Sequence, residues 1–261
     1  MKKIKLALFI VLIFSASSIY ANNRINNLLK KADSAYNAQD FYIACQIWES
    51  IVENGYINDD IYYNLGNASY RMGDLSKAIW FYKKSLLLSR YNVNAQENLN
   101  LLVNKGYAQL LPQPMGVTAF FNKFFTAIPY NTLFWISWVV FILIGILILI
   151  FIFRKKYSSR GGIFWILVVL SICFIYFISS FIYQNINIYN SKSAIISVPS
   201  TNLRSSPDSL SIAVAIVNEG TEVKCLESLG NWEKVLTPSQ KTGWLQREYL
   251  FMLRNRLPDN K

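Results

Sequence analysis

Two uncharged apolar runs dominate this 261-residue chain: Leu133 to Phe153, 21 residues, and Gly161 to Tyr183, 23 residues. Each is long enough, at 1.5 Å per helical residue, to cross a hydrocarbon core of about 30 Å. A helix satisfies its own backbone polar groups, which lipid cannot do, so two spanning helices are expected. Trp135, Trp138 and Trp165 lie near the run ends, where amphipathic rings favour the membrane interface. Neither run contains Asp, Glu, Lys, Arg or His, which argues against a transporter.

Only residues 154–160, RKKYSSR, join the two runs. Short loops rich in Lys and Arg stay on the cytoplasmic side, so Arg154, Lys155, Lys156 and Arg160 are the expected topology determinants. Everything before the first run and after the second is then expected outside the cytoplasm. The N-terminus makes the same demand independently. Residues 1–21 hold three lysines, a short apolar core and small residues ending at Ala21, the pattern of a secretory signal peptide, with an uncleaved anchor as the alternative. The expected location is the inner membrane, with both flanking domains in the periplasm.

The formal charge of +11 invites a nucleic-acid reading, but seven of those charges sit in the leader and the loop. Residues 22–132 carry ten bases and eight acids, residues 184–261 nine and seven, so neither flanking region has a basic stripe and no nucleic-acid partner is expected. The chain contains no histidine, which removes the commonest general base and metal ligand. Cys45, Cys173 and Cys225 form no C-x-x-C pair. Each is expected to be a small buried apolar residue, although Cys45 and Cys225 would meet the chemical requirement for a disulfide in an oxidising compartment. The adjacent carboxylates Asp59-Asp60 are expected to cap a helix beginning at Ile61. No catalytic residue, cofactor or metal site is expected, and the chain reads as a non-enzyme.

Residues 24–107 repeat themselves at a shift of 34: Ala32 aligns with Gly66, Tyr36 with Tyr70, Asp40 with Asp74, Ala44 with Ala78 and Trp48 with Tyr82. This period resembles the tetratricopeptide repeat, and the second copy carries Tyr62, Leu65, Gly66, Tyr70, Gly73, Asp74, Ala78, Ile79, Tyr82 and Leu86 at that family's positions. The resemblance implies antiparallel helix pairs stacked as a solenoid, with small residues at the crossings and Gly73-Asp74 at a turn. Arg90 stands where the repeat normally ends in Pro, so the next helix is expected to begin less sharply. A partial third repeat, Val93 to Val103, would cap the stack. The first helix of each pair should line a concave face, placing Leu29, Asp33, Tyr36 and Asn37 in a groove with Tyr63, Asn67, Tyr70 and Arg71. Asn and Arg in such a groove suit a peptide backbone or a terminal carboxylate.

Residues 114–130, PMGVTAFFNKFFTAIPY, place Val117, Phe120, Phe121, Phe124, Phe125 and Ile128 at helical spacing. They suit an amphipathic helix lying on the membrane, or one packed on the repeat domain. Residues 192–252 alternate apolar and polar in short runs split by turn residues, as a small all-β barrel does, and residues 253–261 form a tail. The stretch resembles a bacterial SH3 domain through TNLRSSPDS, Glu219-Gly220-Thr221, Asn231 to Val235, Thr242 to Leu245 and Glu248-Tyr249-Leu250. Leu203, Val214, Val223, Val235, Trp244 and Leu250 are the expected core, and Trp232 and Tyr249 the expected ligand face, for peptide or cell wall.

The fold class is therefore a multidomain membrane protein: an all-α tetratricopeptide solenoid, two transmembrane helices and a small SH3-like barrel. That module order resembles the BatE family of the Bat aerotolerance operon. The resemblance implies a membrane scaffold linked to oxidative-stress tolerance. Its expected partners are membrane proteins with von Willebrand A domains and, indirectly, a MoxR-type ATPase. The competing reading is a sensor whose barrel binds peptidoglycan.

Overall fold

A computed structural model describes residues 24–112, 115–153, 160–189 and 191–253. The leader, the basic residues Arg154, Lys155 and Lys156, and the tail beyond residue 253 lie outside the described residues. Arg160 is the first residue of the last helix.

The N-terminal region folds as two helical hairpins and a fifth helix. The first hairpin pairs α1 (24–37) with α2 (Phe41–Glu53), and the second pairs α3 (Asp59–Arg71) with α4 (Leu75–Leu88), followed by α5 (Val93–Asn104). Helices α2 and α4 begin 34 residues apart, at the shift seen in the sequence. Asp74 caps α4 by accepting from the Lys77 N–H at 3.1 Å, and Gly73 takes φ +84° in the turn before it, a conformation glycine adopts without steric cost. Asn92 caps α5 through the Ala95 N–H, so α5 starts crisply despite Arg90. The cap of α3 differs from expectation. Asn58 supplies it, accepting from the Asp60 N–H at 2.9 Å, while Asp59 and Asp60 occupy the first turn, where negative charge meets the positive helix end.

Helix α6 (Val117–Phe125) leads into α7 (Tyr130–Phe153) and α8 (Arg160–Tyr189). The last two are antiparallel, as the Tyr130–Phe181 and Phe141–Phe174 ring pairs show. Thr132–Ile152 and Gly161–Asn187 are long and apolar enough to cross a membrane, with mean hydropathies of 3.0 and 2.5, and only 6% of each stretch is buried by protein. Apolar surface so little covered by the chain itself needs another apolar partner. Helix α6 packs on α8: Gln184 donates to the Phe125 and Ile128 carbonyls at 2.8 and 2.9 Å, Tyr176 donates to the Phe124 carbonyl, and Tyr183 donates to Asn122.

The C-terminal region is a seven-stranded antiparallel sheet in the order β3-β2-β6-β5-β4-β1-β7. Its strands are β1 (Ser193–Ile196), β2 (Ser200–Arg204), β3 (Ala213–Asn218), β4 (Glu222–Leu229), β5 (Trp232–Leu236), β6 (Thr242–Gln246) and β7 (Leu250–Met252). A short helical turn, Arg247–Tyr249, joins the last two. Every strand feeds one core: Ala194, Ile196, Leu203, Val217, Val223, Val235, Leu245 and Leu250. A sheet can do this only by wrapping on itself. One expected core residue falls elsewhere. Val214 is exposed because the pleat of β3 turns Ala215 and Val217 inward, and Leu245 joins the expected Trp244 among the buried residues of β6. Trp244 is buried on the other face, with Lys234 over its ring.

Strand β1 is buried on both faces. Ala194 and Ile196 enter the sheet's core, whereas Ile195 enters the core of the helical region beside Ala78, Ile79, Leu99 and Leu102. The two regions therefore share a seam. Lys83 reaches both carboxylate oxygens of Glu222 at 2.9 and 3.0 Å, and Glu222 also accepts from the Leu111 N–H at 3.1 Å. Its own N–H donates to the Gln109 carbonyl, and Gln109 bridges Thr221 in parallel. The Ser76 N–H donates to Glu219. Trp80 donates to the Met252 carbonyl at 2.8 Å and packs on Phe251, while Lys84 lies 4.1 Å from the centre of its ring. Burial lowers the Lys84 ammonium to about 8.

Gly220 is the tightest point of the seam. It has φ +75°, and a Cβ there would lie 2.2 Å from the Tyr107 carbonyl oxygen and 2.8 Å from Ile79 Cδ1. Gly220→Ala is expected to cost about 2 kcal/mol or more, through backbone strain and through separation of barrel from helices. Limited proteolysis should then cut the 105–112 connector faster than in wild type; an unchanged rate would contradict the close approach.

Candidate functional site: a polar groove on the helical hairpins and an aromatic edge on the barrel

Helices α1, α3, α4 and α5 together line a cavity of about 270 Å³. Tyr63, Asn67, Tyr70 and Arg71 all line it, as the sequence suggested, together with Tyr36 of α1. Asp33 and Asn37, expected beside them, are exposed on α1 and do not line the cavity. The helical spacing put them on the right helix but not on the face that turns inward. Leu29 packs into the helical core instead.

Tyr82 and Asn98 complete the cavity and were not anticipated. The Tyr82 hydroxyl donates to Asn67 Oδ1 at 2.8 Å, and Asn98 Nδ2 donates to the same oxygen at 2.8 Å. Burial raises the Tyr82 phenol well above its usual value, so it stays a neutral donor. Asn98 Nδ2 also donates to the Tyr82 hydroxyl at 3.3 Å, so this network spends the Asn67 carbonyl and the Asn98 amide nitrogen, and orients both amides. Among the described residues, it leaves the Asn67 amide group to donate and the Asn98 carbonyl to accept. A donor and an acceptor side by side match the alternating groups of an extended peptide backbone. Lys105 donates to the Tyr70 hydroxyl at 3.3 Å and Arg71 lies over the Phe41 ring, so the rim is cationic. The signal that would have revealed Asn98 is its place in the partial third repeat, on the face that also carries Leu101 and Leu102.

Gly66 makes the groove possible. A Cβ there would meet the Tyr82 ring at 2.6 Å. The ring is fully buried and held by two hydrogen bonds, so it cannot swing aside.

On the barrel, Trp232 opens β5 and Tyr249 ends the short turn before β7; both are half-buried. The buried Glu233 fixes their backbones relative to each other. It takes Arg247 at 2.7 Å and the Ser228 hydroxyl at 2.6 Å, while the Arg247 N–H donates to the Asn231 carbonyl. One ion pair thus ties the strand that begins with Trp232 to the turn that contains Tyr249.

None of the three cysteines forms a disulfide. Burial, then the nearby Glu49 carboxylate, pushes the Cys45 thiol up to about 11, so it is neutral and a poor nucleophile. The Cys45–Cys225 disulfide considered from sequence is not formed.

Residues 199–251 match the family model described as bacterial SH3 domain, so the C-terminal sheet is a module of that kind. Strand β1, which carries Ile195 into the helical core, precedes the matched residues. No curated protein matches the chain.

Gly66→Ala is expected to displace the Tyr82 ring, break its hydrogen bond to Asn67 and cost about 1–3 kcal/mol. Thermal unfolding of the full chain should show the loss, and tyrosine hydroxyl contacts should change with it. Wild-type stability in Gly66→Ala would mean that α3 and α4 do not approach this closely.

Proposed function

We propose that this protein is a non-catalytic scaffold of the inner membrane, anchored by α7 and α8, with its helical region and SH3 module both on the periplasmic side. The observation that carries the reading is the groove. Asn67 and Asn98 present a donor and an acceptor, and Arg71 and Lys105 make the rim cationic. This chemistry suits an extended peptide ending in a carboxylate or rich in acids. The 34-residue spacing of α2 and α4 and the close Gly66–Tyr82 crossing support the tetratricopeptide assignment. The basic residues 154–160 support the orientation, since they sit between the two apolar helices.

The module order supports membership of the BatE family, and through it a place in an aerotolerance complex. The partners would be membrane proteins with von Willebrand A domains and, indirectly, a MoxR-type ATPase. A second reading draws on the SH3 module itself: domains of this family engage cell-wall material, so the protein would sense peptidoglycan through Trp232 and Tyr249. The two separate experimentally. In-cell crosslinking of the full protein, followed by detergent purification, should capture membrane proteins with wild type. Asn67→Ala/Arg71→Ala should reduce that capture roughly tenfold, as expected for the loss of two polar contacts. Persistence of the same partners in the double variant would rule out the groove. Capture of wall fragments alone would establish the sensor reading.

A further inference from the structure

A second cavity lies away from the groove. About 630 Å³ opens where α4, the connector after α5, α6, the end of α8 and the barrel converge. Five charged side chains line it: Lys83, Arg90, Lys192, Lys224 and Glu222. The acid is already spent, because Glu222 is occupied by Lys83 and by the Leu111 N–H. Arg90, Lys192 and Lys224 have no carboxylate partner among the described residues, and all three are exposed toward the opening. Three unpaired cations converge on one space.

Its depth is set by the elements around it. Gln184 and Asn187 line it from the end of the apolar stretch Gly161–Asn187, and Pro129 lines it just before the stretch Thr132–Ile152 begins. Asn122 of α6 and Thr126 at its C-terminal cap line it as well. Val117, Phe120, Phe121 and Phe124 on the same helix are exposed and do not line it. The cavity therefore lies at the level where apolar surface gives way to polar surface, with a phenylalanine-rich helix face at the same height. In a bilayer this is the level of the lipid phosphates.

We propose that this cavity binds the headgroup of an anionic phospholipid, with Arg90, Lys192 and Lys224 on its phosphate. The phenylalanine face of α6 would rest among the acyl chains. Arginine offers a planar fork to phosphate oxygens and the two lysines add point charges. Gln96 and Asn187 also line the cavity. The site would tie the angle between the docked domains and the bilayer to the lipid present. The inference rests on the membrane anchoring proposed above.

The test uses the full chain reconstituted into vesicles of equal phosphatidylglycerol and phosphatidylcholine, then extracted in mild detergent. Retained lipid is quantified by mass spectrometry. Wild type is expected to retain phosphatidylglycerol roughly tenfold or more over phosphatidylcholine, given three cations at a membrane surface. Arg90→Ala/Lys192→Ala/Lys224→Ala should lose that preference, and Arg90→Lys/Lys192→Arg/Lys224→Arg should keep it. These side chains are exposed and Lys83 is untouched, so tryptophan-monitored melting of both variants should match wild type. Equal retention of the two lipids, or an unchanged preference in the alanine variant, overturns the proposal. So does thermal protection by millimolar inorganic phosphate without lipid retention, which would make this a free-anion site. Release of wild type from vesicles by alkaline extraction would instead remove the membrane anchoring itself, and the lipid site with it.

Discussion

The buried ion pair between Lys83 and Glu222 governs how the rest of the protein is arranged. Glu222 is only 3% exposed, and a carboxylate taken out of water is costly unless every lone pair finds a donor. Lys83 and the Leu111 N–H supply those donors, from a helix and from the connector that leads toward the membrane. Such a pair is a weak source of net stability but a strong source of geometry, because any other placement of the barrel leaves a charge buried and unpaired. The apolar contacts of Ile195 and the Trp80–Phe251 pair provide the burial, and Glu222 fixes the register. Short tethers reinforce this: only residues 190–192 separate α8 from β1, and residues 105–116 separate α5 from α6.

A fixed seam changes what the modules are able to do together. Two domains on flexible linkers would sample many orientations over a membrane. Here the groove, the barrel's aromatic edge and the two apolar helices keep one relative arrangement. Ligand bound between Asn67 and Asn98 would be held at a set height above α7 and α8. In the proposed scaffold this is the useful property, since it positions a partner's tail near that partner's own membrane segment.

The local patterns were readable in the sequence to a large degree. Uncharged length identified α7 and α8, the 34-residue self-similarity located both hairpins, and alternation with turn residues located the strands. The groove residues on α3 were legible because repeat period and helical phase together fix a face. Asp33 and Asn37 misled because the first hairpin is degenerate, so its phase was borrowed from the second. Val214 misled because alternation gives two faces without saying which is inside. The seam was not legible at all. Glu222, Lys83 and Gln109 look like ordinary surface residues of separate domains, and Ile195 like one more apolar residue in a strand. Only their meeting, across well over a hundred positions, gives them a role.

The most direct test of that arrangement is native-state amide hydrogen exchange on the full chain. The N–H groups of Leu111 and Glu222, bonded to Glu222 and Gln109, cross the seam. A docked structure predicts that they exchange as slowly as the N–H groups in the barrel's own ladder, and that Lys83→Ala speeds both while leaving the β5–β6 ladder protected. Exchange at Leu111 and Glu222 at the rate of an open connector, beside a protected barrel, would show that helices and barrel move independently, and would contradict the account.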